Sequence, residues 1–301
     1  MKSLIFVGDS LTWGEGLELY DKKFRDTFVE FSNKGDFKFF EYGDILFSGY
    51  APLHREKNRY ANLVSTHFDV VYFSNGISEN NIVSIDYVIK LHEKYGNDKF
   101  GHVIINLCST NHDEHITSKK QLKELFDVEF NLFELQKILE SWYNYCGEFG
   151  VNDEIANDES KFNKHFSNTV IDIQLMERLQ SYFFQPENFR KFLIQNSYNF
   201  IEEKLLELDN LGIRYHILLP WTSHDFENYI KVNQRFDLDL NKNIIPIMYE
   251  GAEYQSLAEL LNKKEMWINS DLGWSNCYFL SETGHKIVSE SIIKHLENLD
   301  N

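Results

Sequence analysis

The chain has 301 residues, 43% hydrophobic and 26% charged, which is material for a full core and for roughly one to two domains. A formal net charge of −17 gives a surface that repels nucleic acid and anionic membranes, so neither is expected as a partner. Three cysteines without a CxxC pair make neither a disulfide framework nor a zinc site. With no signal-peptide pattern and no run of roughly 18 apolar residues, a cytoplasmic chain is expected.

In chain order, Lys2–Val7 reads as a buried strand, a short apolar run stopped by Gly8-Asp9-Ser10. Residues 38–47 can hold another strand. Tyr60–His67 reads as helix and leads into Asp69–Gly76, a β-branched and aromatic run closed by Asn75-Gly76. Residues 80–96 carry helical spacing through Ile82, Ile85, Val88, Ile89 and Leu91. His102–Cys108 reads as a strand with polar Ser109-Thr110-Asn111 at its carboxyl end. Pro186–Leu211 is a long amphipathic helix ended by Gly212, Ile213–Leu219 a strand stopped by Pro220, and Lys286–Leu299 a final amphipathic helix. Residues 113–185 exceed a minimal α/β repeat. Their acidic and aromatic pieces, Leu122–Val128 and Leu132–Tyr145, read as a helical insertion, either a lid or a packing elaboration.

Strands alternating with helices argue for α/β: a three-layer α/β/α sandwich with a mostly parallel, flavodoxin-like sheet and a helical insertion. Residues 1–301 are read as one such domain, with 113–185 inserted in it. In these sheets ligands bind outside the carboxyl ends of the strands. The polar clusters at 8–14, 74–80, 109–115 and 221–225 all fall there, which points to one site.

Gly8-Asp9-Ser10-Leu11-Thr12-Trp13-Gly14 carries the sharpest signal. A serine where a strand gives way to a helix has its hydroxyl at the sheet edge and its N–H turned toward a developing oxyanion. The plain alternative is a helix N-cap. The whole string resembles the first block of the SGNH/GDSL hydrolases, in which Gly-Asp-Ser-Leu carries the nucleophile, so the resemblance makes Ser10 the nucleophile. The family's second block, a glycine giving a backbone N–H to the oxyanion hole, falls on Gly76. Another register puts Glu79 there, and the bland reading is an Asn-Gly turn. The third block, Gly-x-Asn-Asp, corresponds to Ser109-Thr110-Asn111-His112. Asn111 would supply a side-chain amide, a type of donor worth about 10²–10³ in rate. The family's flanking Gly and Asp are absent.

The fourth block departs from the pattern. The family carries Asp-x-x-His before its last helix, followed by a Gly-His or Gly-Tyr pair. If Gly284-His285 is that pair, the histidine position falls on Phe279 and the aspartate position on Asn276, and both catalytic groups are missing. Alternatively, Glu282-x-x-His285 reproduces the spacing late, with His285 as general base and Glu282 or Asp271 orienting it. His224 and His112 are further candidates for the base. His112-Asp113-Glu114-His115 has His-x-x-His spacing but no third ligand, and reads as a solvated loop rather than a metal site. The remaining histidines, His54, His102, His216 and His295 among them, show no partner pattern.

The resemblance implies an esterase or deacylase. Ser10 would form an acyl-enzyme on a small acyl ester, for instance an O-acetyl group on a glycan, with no metal or organic cofactor. Trp13, Trp221 and Trp274 would suit a sugar face or the core equally. The rival expectation is a catalytically impaired SGNH-like domain that binds a glycan or a protein, because the loss of a triad base costs on the order of 10⁶ in kcat.

Overall fold

Strand β1, Ser3–Val7, is a run of apolar residues without polar alternation, so both its faces have to be covered; Leu4, Ile5, Phe6 and Val7 are all buried. The computed structural model describes residues 3–8, 12, 14, 17–22, 24–26, 51–73, 81–96, 100–107, 113–149, 159–167, 172–219, 243–268 and 279–300. Within them β1 pairs with β2 (Val70–Phe73) on one side and β3 (Phe100–Asn106) on the other, and β4 (Tyr215–Leu218) lies beyond β3. The order is β2-β1-β3-β4, every pair parallel, and Ile244 adds a parallel bridge to Ile217. The chain is therefore mixed α/β, and helix outweighs strand among the described residues.

This order has a chemical consequence. From β1 the chain goes to one side for β2 and returns to the other for β3, so the carboxyl ends of β1 and β3 flank a topological switch point, where such sheets open a crevice.

Two compact units are resolved. The first comprises Met1–Ser109 and Glu202–Asn301, the second Thr110–Ile201. In the first, Leu4, Phe6 and Ile104 pack with α2 (Tyr60–Val64) and with Val288, Ile292 and Leu296 of the last helix, α9 (Glu282–Asp300). Helix α3 (Asn81–Tyr95) packs on β1 and β3 through a different set, with Ile82, Ile85, Val88 and Ile89 buried.

The second unit is helical: α4 (Glu114–Phe126), α5 (Leu132–Phe149), α6 (Glu159–Phe166), α7 (Ile173–Phe183) and the first part of α8 (Pro186–Asn210). It has a core of its own. Leu135, Ile138, Leu139, Trp142 and Tyr145 recur at helical spacing on α5 and meet Phe162, Phe166, Met176, Leu179 and Phe189. The segment expected as a helical insertion, 113–185, falls inside this unit.

Most expected elements are present within a few residues of their bounds, and the suggested strand at 38–47 lies outside the described residues. Two elements carried no signal. Helix α1 (Ala51–Asn58) is largely polar, with no apolar period to read. The hairpin β5 (Ile247–Tyr249) to β6 (Ala252–Tyr254) has strands of three residues, too short to alternate visibly. Its turn, Glu250-Gly251, holds two positive φ angles, 49° and 80°, the requirement of a tight hairpin, with glutamate where asparagine or aspartate is usual. No helix among the described residues is long and apolar enough to cross a membrane.

Candidate functional site

At the carboxyl end of β1 the backbone runs against β3. A Cβ added to Gly8 would lie 2.4 Å from Thr12 Oγ1 and 2.6 Å from Asn106 Cβ, so this position admits only glycine at its present spacing. Thr12 is fully buried, and its hydroxyl shares a 2.6 Å hydrogen bond with the Tyr60 hydroxyl. Gly8 lies against Asn106 of β3 and Thr12 against Tyr60 of α2, and in the sequence these two residues flank Ser10. Ser10 itself lies outside the described residues. So do Gly76, Glu79, Asn111, His112, His224, Asp271 and Asn276, and the tryptophans Trp13, Trp221 and Trp274.

His285 and Glu282 are both described, and they do not form the expected dyad. His285 belongs to the stripe 285, 288, 292, 296 of α9, and that stripe is the core face, with Val288, Ile292 and Leu296 all buried. The imidazole is 0% exposed and stacks on the Tyr60 ring with centroids 5.5 Å apart. Its Nδ1 accepts the Tyr60 backbone N–H at 3.2 Å, which puts the proton of the neutral ring on Nε2. Nε2 is buried without a hydrogen-bond partner among the described residues. Burial, helped by the positive charge of Arg59, pushes the ring's pKa down to about 3. Its one basic lone pair is already engaged, whereas a general base needs that lone pair turned to its nucleophile.

Phe279, where one of the two registers would put the family's histidine, packs half-buried against the same core. Gly284 is held by packing: a Cβ there would meet the Met266 carbonyl oxygen at 2.3 Å. Ser281 starts α9, its Oγ accepting the Gly284 N–H at 2.9 Å.

Glu282 lies on the other stripe of α9, with the exposed Lys286 and Glu290. Its Oε1 is 2.7 Å from His54 Nε2 of α1, and both side chains are partly open to solvent, 42% and 30%. Tyr20, in the 3₁₀ turn Leu17–Tyr20, stacks on His54 at 6.2 Å and 18°. Burial raises the Tyr20 hydroxyl's pKa; a hydrogen bond from the Glu282 backbone lowers it, and the Glu282 charge raises it again. The buried pair Arg55–Glu18 fastens α1 to that turn. This Tyr20–His54–Glu282 cluster is the acid–base constellation that sequence reasoning missed. Its members are 34 and 228 residues apart, so no spacing announces it.

A second missed arrangement joins β3, β4 and α9. His102 Nδ1 and His216 Nε2 are 2.8 Å apart, and His216 Nδ1 and His295 Nε2 3.0 Å. Burial, followed by the two neighbouring rings, pushes His216 down to about 3. The rings bond in a row instead of converging. Among the described residues no group of three His, Cys, Asp or Glu side chains is placed to hold a metal.

No protein-family model, curated protein or solved structure matches the chain. The likeness of Gly8–Gly14 to the first block of the SGNH hydrolases rests on the residues of that string.

Proposed function

We propose that the chain is an SGNH-like serine esterase or deacylase, built on a flavodoxin-like three-layer α/β/α sandwich, with Ser10 as its nucleophile. The observation that carries this reading is Gly8: the residue that begins the Gly-Asp-Ser-Leu string ends a central parallel strand, is pressed against β3 at the switch point, and allows no side chain. Ser10 follows two residues later, where the family's nucleophile belongs.

The base assigned here is His54. With Nε2 held by the Glu282 carboxylate, its Nδ1 is the nitrogen left to take a proton, the logic of an acid-oriented histidine with the ring reversed. In the reaction the Ser10 hydroxyl oxygen bonds to the ester carbonyl carbon as its proton passes to His54. The N–H groups of Ser10 and Gly76 and the amide of Asn111 stabilise the oxyanion. The alkoxide leaves with the proton, and water, activated by the same imidazole, releases the acid and restores Ser10. A small acyl ester such as an O-acetyl group on a glycan is the substrate class. No metal enters these steps.

A second reading has its own support. Phe279 packed at the histidine position and His285 turned into the core fit a domain that has lost its base and binds a glycan or a protein. Turnover of p-nitrophenyl acetate separates the two. Under the first reading Ser10→Ala and His54→Gln each cost at least about 10³ in kcat and are no worse combined, while His285→Gln changes it little. Under the second, the wild type turns over slowly and is indifferent to every histidine, and Phe279→His with Asn276→Asp raises the rate. Hydrolysis that ignores Ser10 would overturn the esterase proposal.

A further inference from the structure

The helical unit contains a cleft of about 250 Å³ between α4, α5 and α8. Leu132, Leu135 and Leu139, one stripe of α5, form its apolar wall. Opposite them is Glu114 from the first turn of α4. Glu114 is 4% exposed, and its Oε1 has no hydrogen-bond partner among the described residues. A buried carboxyl oxygen left unpaired is costly, and no donor among the described residues is within hydrogen-bond distance of it. Arg190 of α8 lines the cleft, while Glu140 of α5 and Asp113, next to Glu114, add negative charge to its surroundings. The balance is acidic, on a chain of net charge −17.

We propose that this cleft binds a small organic cation, an alkylammonium whose N–H donors meet the Glu114 carboxyl and whose alkyl body lies on the Leu132–Leu135–Leu139 wall. An ammonium satisfies the unpaired acceptor and replaces apolar contact with water by contact with leucine. An anionic ligand would find Arg190 but would face Asp113, Glu114 and Glu140. Burial, offset by Arg190 and reinforced by Asp113, pushes Glu114 up to about 7. Below neutrality binding must therefore expel a proton from Glu114, and this gives the site a signature that non-specific adsorption lacks. No residue of this cleft enters the esterase reading, so the two can fail separately.

The test is calorimetric titration of the full chain at pH 6.5 with n-butylammonium chloride and, separately, sodium butyrate, each in two buffers of different ionisation enthalpy. Butylammonium is expected to bind one site with release of up to one proton, and butyrate not to bind. Glu114→Gln should weaken butylammonium at least tenfold and remove the proton release. Leu132→Trp, at a half-buried position on the cleft wall, should weaken it without altering Glu114, and Arg190→Gln should tighten it several-fold. Absence of butylammonium binding, binding unchanged in Glu114→Gln and Leu132→Trp, or a preference for butyrate would overturn the proposal.

Discussion

His285 and Glu282 are one helical turn apart and go to opposite environments. The imidazole is on the core stripe and the carboxylate on the solvent stripe, so the spacing that suggested a dyad instead separates its members. Burial leaves a titration signature. His285 and His216 both have folded-state pKa values near 3 against an ordinary 6.5. Between those limits the unfolded chain binds protons that the folded chain refuses, so stability falls as pH drops from about 6.5, by up to ~1.4 kcal/mol per pH unit for each ring. Glu114 has the opposite sign: its pKa is raised from 4.5 to about 7, so the stability it contributes is complete below about 4.5 and is lost as pH rises toward 7. Urea unfolding from pH 4 to 8 should show a shallower acid slope for His285→Gln than for the wild type. Glu114→Gln should escape the loss of stability between pH 4.5 and 7. Unchanged slopes would mean that neither group keeps its buried state in solution.

At the scale of elements, two glycines fix how segments meet. Gly8 lets the end of β1 approach Asn106 of β3, and Gly284 lets the first turn of α9 approach the Met266 carbonyl. Alanine is the better helix former by about 1 kcal/mol, so propensity alone would have Gly284→Ala stabilise α9. A Cβ at 2.3 Å from a backbone oxygen outweighs that gain, because overpacking costs typically 1–3 kcal/mol and more where backbone has to move. Gly8→Ala and Gly284→Ala should each lower the unfolding free energy by about 2 kcal/mol, whereas Gly147→Ala, in α5 with open space around its Cβ site, should not. Denaturant midpoints of the three variants check the ordering.

At the scale of the molecule, each unit has apolar packing of its own, between sheet and helices in the first and among helices alone in the second. Phe166 is fully buried in the second, its ring 4.6 Å from Phe162 and 5.4 Å from Tyr145. Phe166→Ala should cost about 3–5 kcal/mol where it acts. In the intact chain, hydrogen exchange should lose protection across α4 to α7 while β1, β3 and β4 keep theirs. Loss of protection in all of them together would show that the two units unfold as one.

Local pattern determined much of this protein. Apolar runs without alternation made β1 and β4 fully buried strands, and 3.6-residue spacing made α3, α5, α8 and α9 helices, because side-chain period alone decides which faces can be covered. Gly8 was legible for the same reason, as the residue that stops a buried apolar run. Pairings across long separations were not. His54 with Glu282, the row His102–His216–His295 and the unpaired Glu114 in its leucine-walled cleft depend on which elements lie side by side and which stripe of each helix faces inward. A histidine in the sequence carries no mark of its future neighbour. Its chemistry is set by burial and by hydrogen-bond partners, and these exist only once the chain has closed on itself.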